Sequence, residues 1–169
     1  MSTEIAVADW IKRVADDERR RDAVRVREEE TAARKADLVH LHGQRLIDEL
    51  RAAVARDLEA FLSQFSGSHL RDIVLEGIEP EGFVLRRSSP PAVSLTVAPH
   101  MELAALRCHY RFTAANGLPP REDRLELMFA EDASTGVVQL KDHGTGLVFA
   151  TADALSEFLL VPVFTGRPR

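Results

Sequence analysis

Apolar side chains along this chain follow two rhythms, and the change from one to the other falls near Gly67. Upstream they recur every third or fourth position, the period of one face of an α-helix; downstream they alternate with polar residues, the period of a strand covered on one side. From Thr3 to Phe65 there is no proline and the only glycine is Gly43, so helix is favoured by propensity throughout that stretch. Val7, Trp10, Ile11 and Val14 form a short apolar stripe at helical spacing. Residues 16 to 37 are nearly all charged or Ala, with Val24 and Val26 the only larger apolar groups, which predicts a solvated helix or a hinge. From Val39 the stripe returns, through Leu46, Ile47, Leu50, Val54, Leu58, Phe61, Leu62 and Phe65. A face that wide has to be docked on something. Ser66 and Gly67 are suited to ending this helix.

Strands are predicted where the alternation is clearest: Val93, Leu95 and Val97; Leu106, Cys108, Tyr110 and Phe112; Leu125, Leu127 and Phe129. Val138 with Leu140, Leu147 with Phe149, Ile73 to Ile78 and Phe83 to Arg87 extend the set. Turn residues separate the runs, among them Pro80 with Gly82, Pro90 with Pro91, Asn116 with Gly117, Pro119 with Pro120, and Gly144 with Gly146. Short connections and clean alternation imply an antiparallel meander with one covered and one wet face. Thr151 is placed to cap a last helix that buries Leu155, Phe158 and Leu159, and Pro162 is placed to stop it. The expected fold class is α+β: a long N-terminal helical region, an antiparallel meander of about six strands, and a short C-terminal helix packed on the same face. A soft boundary near residues 37 to 39 divides a charged helical arm over 1–37 from a compact two-layer domain over 38–169.

Charge narrows the choice of partners. The net charge is −5, and an apolar share of 45% is enough for a real core. Residues 1 to 66 hold 12 bases and 14 acids, residues 67 to 169 hold 10 and 13, so neither half is a polycation. Nucleic-acid binding by a general excess of positive charge is therefore disfavoured. The sole cysteine, Cys108, excludes an intramolecular disulfide and a Cys-rich zinc site. The early acids Glu4, Asp9, Asp16 and Asp17, with no apolar run of bilayer length, point to a cytoplasmic protein without a membrane span. Arginine outnumbers lysine 19 to 3 beside abundant Ala, as in GC-rich bacterial genomes.

No residue pattern carries a recognisable chemistry. His40 and His42 are two apart on a helix and point to nearly opposite sides; His69, His100 and His143 fall in loops without ligand spacing. No metal or other cofactor is expected. Cys108 lies on the inward side of its strand between Leu106 and Tyr110, the place of an inert core thiol rather than a nucleophile. Ser66-Gly67-Ser68-His69 reads as a helix stop and turn, and Asp142-His143-Gly144-Thr145-Gly146 as a hairpin loop rather than a phosphate loop. With no catalytic motif, the chain leans away from being an enzyme.

Three surfaces remain. Arg19, Arg20, Arg21, Arg25 and Arg27 stand among Asp16, Asp17, Glu18, Asp22, Glu28, Glu29 and Glu30, a composition expected of a salt-bridged helix, with pairs such as Asp17 and Arg21. The wet sheet face carries Ser94, Thr96, Arg107, His109, Arg111, Glu126, Met128, Gln139 and Lys141, a modest basic patch without the aromatic platforms on which bases stack. The stripe of Val7, Trp10, Ile11 and Val14 is best explained by pairing with a second copy. The expected function is a non-enzymatic interaction or assembly module, a homodimer through its helical region with a further protein partner on the Arg107, His109, Arg111 and Lys141 face. Nucleic-acid association through the Arg-rich helix or the basic sheet face, and a small-molecule or enzymatic pocket between helix and sheet, are the alternatives.

Overall fold

In a computed structural model, which describes residues 8–65 and 72–169, helix α1 spans Asp9–Ser63. It is followed by β1 (Ile73–Ile78), β2 (Gly82–Arg87), β3 (Ala92–His100), a 3-10 turn at Met101–Leu103, β4 (Ala105–Thr113), β5 (Arg121–Glu131), β6 (Val138–Asp142), β7 (Val148–Phe149) and helix α2 (Ala152–Thr165). The chain divides into two compact units, Met1–Asp37 and Leu38–Arg169. The expected helix stop at Ser66 and Gly67 lies outside the described residues.

The fold of the second unit is α+β. Among the described residues its sheet has seven antiparallel strands in the order β1-β2-β3-β4-β5-β6-β7, a plain meander. The seventh is the two-residue β7, in keeping with the expected meander of about six strands. Register carries the alternation of each strand across the sheet: Phe83 pairs with Val97 and Val97 with Cys108, while Leu85 pairs with Leu95 and Leu95 with Tyr110. One face therefore collects Phe83, Leu85, Leu95, Val97, Leu106, Leu127, Phe129 and Leu140, all at most 1% exposed. Val39, Ile47, Leu50, Val54 and Leu58 of α1 and Leu155, Leu159, Leu160 and Val163 of α2 belong to the same core. Gly43 marks a point of close approach: a Cβ there would stand 2.6 Å from Met101 Cε and 3.7 Å from Phe129 Cε1. Polar contacts tie the helices together, with Ser156 Oγ donating to Asp57 Oδ2 at 2.7 Å and Arg56 Nη2 lying 2.9 Å from Asp153 Oδ1.

Helix α2 corrects the expected stop at Pro162. Thr151 caps its start, accepting from the Ala154 N–H at 3.1 Å, but the helix runs through Pro162 to Thr165. A proline removes its own N–H from the ladder and crowds the carbonyl one turn back, but it leaves its own carbonyl free to accept from the turn that follows. The next turn closes normally, with Gly166 N–H donating to Pro162 O at 2.9 Å, and Gly166 adopts a left-handed φ of 69° that suits a residue without Cβ. Buried Arg87 then reaches from β2 to the end of the helix, where Nη1 donates to Phe164 O at 2.5 Å and Val163 O at 3.3 Å. A charged guanidinium thus meets carbonyls that the helix cannot satisfy itself. Leu147, expected to point inward with Phe149, is 48% exposed, because the chain is still turning there and β7 begins at Val148.

Candidate interaction surfaces

The outer face of the sheet carries the candidate residues Arg107, His109 and Arg111 side by side on β4. Their register partners on β5 are Glu126, Arg124 and Glu122. Arg107 Nε lies 3.4 Å from Glu126 Oε1, and Arg124 Nη2 lies 3.8 Å from Glu122 Oε2. His109 Nε2 is 3.3 Å from Glu122 Oε2 but not in a hydrogen-bonding direction, and that nitrogen is covered and without a hydrogen-bond partner. Arg107, His109, Arg124 and Glu126 line a shallow depression of about 570 Å³, floored by Cys108 and Leu125. Lys141 is not part of this group: it sits on β6 opposite Met128 and Val148. The patch is thus an alternation of bases and acids rather than a continuous basic surface. Glu122 and Arg124 are absent from the sequence reading because β5 begins at Arg121, ahead of the apolar alternation that starts at Leu125. A row of polar residues gives no periodic signal.

In the helical unit, every residue from Ala8 to Asp37 is exposed except the half-buried Ala15. Trp10 is 61% exposed, Ile11 42% and Val14 53%. Val7, the remaining member of the stripe, lies outside the described residues. The arginines meet acids one turn away: Arg19 with Asp16 at 2.7 Å, Arg21 with Glu18 at 2.7 Å, Arg25 with Asp22 at 3.1 Å and, more loosely, Arg20 with Asp17 at 3.7 Å. The expected Asp17–Arg21 pair is replaced by Asp17 with Arg20 and Glu18 with Arg21, since residues three apart are neighbours on a helix just as those four apart are.

No known protein family, curated protein or solved structure matches this chain.

Cys108 is buried, and burial pushes its thiol up to about 12, an effect that Arg169 only partly opposes. Tyr110 is likewise raised to about 12 by burial, against the hydrogen bond and charge of Arg169. Its hydroxyl donates to Leu159 O at 2.8 Å, and Arg169 Nη2 donates to it at 3.3 Å. Neither group is a nucleophile or base near neutral pH. Both are held above their ordinary values, so the folded state binds their protons more tightly than the unfolded state. Their contribution to stability is whole below about pH 9 and is lost as pH climbs towards 12. Because Tyr110 is the only tyrosine, absorbance at 295 nm should show one phenol ionising near pH 12 and dropping to its ordinary value, near 10, in denaturant. A folded-state midpoint near 10 would contradict the buried Tyr110–Leu159 contact.

The Asp142 to Gly146 segment forms a hairpin turn. Asp142 accepts from Gly144 N–H at 3.0 Å and from Thr145 Oγ1 at 2.6 Å. Burial opposes the charge of Asp142, yet these bonds prevail and hold its carboxyl below the usual range. Among the described residues, no group of three or more His, Cys, Asp or Glu side chains is placed to hold a metal ion. His40 and His42 are both exposed, and His69 lies outside the described residues. No described helix is long and apolar enough to cross a membrane.

Proposed function

We propose that this chain is a non-enzymatic protein-protein interaction and assembly module that associates with its own copies through its helical region. The observation that carries the reading is the exposed row of Trp10, Ile11 and Val14 on a helix whose other surface is charged and internally compensated. Tryptophan and two aliphatic side chains in water carry a standing hydrophobic cost that symmetric pairing removes. The same charge pattern weighs against a phosphate-binding role. Arginines already matched by acids within one turn release few counterions on meeting a nucleic acid. The sheet face supports a protein partner for a similar reason: its mixed rows of Arg107, Glu126, Arg124 and Glu122 suit another mixed surface better than a polyanion.

The test is the mass of the whole chain by light scattering across a concentration series, beside a Trp10→Glu/Val14→Glu double variant. The variant is expected to have the lower average mass at every concentration, with unchanged helical circular dichroism because both positions are exposed. Equal masses for the two proteins would overturn the reading.

A further inference from the structure

The two edges of the sheet are unlike. The β7 edge is two residues long, a length that leaves little to pair with, whereas β1 presents six residues, Ile73–Ile78, with no partner strand on its outer side among the described residues. Ser88 N–H donates to Asp72 O, and hydrogen-bonded pairs recur at every second residue of an antiparallel ladder. The backbone groups of Val74, Glu76 and Ile78 therefore turn towards β2, and those of Ile73, Leu75 and Gly77 turn outward. The strand itself carries none of the side chains that usually protect an edge: β1 has no proline, no lysine and no inward charge. Its single acid, Glu76, is on the outer face, bonded to Arg86. Val74 on that face is 48% exposed. On the inner side, α1 and β1 leave an apolar groove of about 490 Å³ lined by Ala55, Leu58, Glu59, Leu62, Ser63 and Leu75.

We propose that the β1 edge pairs with β1 of a second copy, antiparallel about a two-fold axis at Leu75, to make one continuous sheet. The outward backbone groups fit this register. Leu75 faces Leu75 of the second copy and Ile73 faces its Gly77, each pair exchanging two hydrogen bonds. Charge complements it as well. Arg51 reaches over Gly77, its Nη2 lying 2.8 Å from where a Cβ would be, while Glu59 lines the groove two turns further along α1. The two-fold axis reverses this order, so the Arg51 end of one copy meets the Glu59 end of the other, and Ala55 between them leaves room for the helices to approach. Glycine at 77 spares Arg51 a clash. This contact uses residues of Leu38–Arg169 only and is separate from the helical contact proposed above.

The experiment removes the helical contact first, using the full chain carrying Trp10→Glu/Val14→Glu. Light scattering of that variant is expected to approach twice the 18.8 kDa chain mass as concentration rises. Adding Leu75→Pro should return it to the single-chain mass with its circular dichroism intact, because the N–H lost at position 75 is not bonded within the sheet. Leu75→Cys gives a reading that does not depend on the proline variant folding. Residues facing each other in such a pair have Cα atoms about 5.5 Å apart, within disulfide range, so oxidation should yield a linked dimer. Val148→Cys, on the opposite edge, should not. A single-chain mass at all concentrations with no Leu75→Cys cross-link would overturn the edge pairing and leave the helical reading untouched. Retention of the double mass by Leu75→Pro would overturn it too.

Discussion

Leu50→Ala is expected to lower the unfolding free energy by about 2–5 kcal/mol, the range for removing a large aliphatic side chain from a close-packed interior. Leu50 is fully buried on α1, in a core shared with Leu85, Leu95 and Leu127. The truncation leaves a hole that a sheet already filled on that face cannot close. Two terms add: the lost transfer of the side chain from water and the lost contacts around the cavity. Urea unfolding followed by near-ultraviolet circular dichroism of Tyr110 checks it, since that ring sits in the same core. A midpoint within experimental error of the unaltered chain would show that α1 does not close the inner face of the sheet.

Arg87→Met should cost about 2–4 kcal/mol, although it puts an apolar side chain of similar length in a buried position. The loss comes from the carbonyls of Val163 and Phe164, which accept from the Arg87 guanidinium at the end of α2. Buried acceptors left without donors carry their whole desolvation penalty, whereas the methionine gains only area that the arginine stem already covers. Arg87→Lys is expected to fall between, keeping a charge near the carbonyl end of the helix but with a single ammonium on a shorter reach. A stability unchanged by Arg87→Met would mean that solvent satisfies those carbonyls.

Much of the architecture could be read from period alone. The helical stripe from Val39 to Leu62 and the alternating runs from Val93, Leu106 and Leu125 each need a partner surface, and one two-layer arrangement supplies it to all of them. The same pattern put Cys108 and Tyr110 in the core, where they are found. Three features stayed hidden. Pro162 looked like a terminator because propensity counts the lost N–H and not the Arg87 cap or the packing of Val163 that hold the next turn. Arg87 looked like a strand end, since nothing in its neighbours shows that a helix terminus 76 residues away stands over it. Glu122 and Arg124 looked like a loop, because polar residues carry no face preference until a neighbouring strand gives them one.

For the candidate surfaces the limit is of the same kind. Spacing places Arg107, His109 and Arg111 on one side of β4, and Trp10, Ile11 and Val14 on one side of α1. Spacing does not say that Glu126 and Glu122 stand opposite the strand's bases, that Lys141 is separated from them by β5, or that one sheet edge is long while the other is two residues. Those are pairings between residues distant in sequence, and a one-dimensional pattern holds no term for them. What the sequence determined by itself was which side of each element must leave water, because hydrophobic burial acts on local periodicity. Which side chains then meet was decided by the tertiary structure, because register, edge and helix-end contacts are fixed only when all the buried faces are brought together at once.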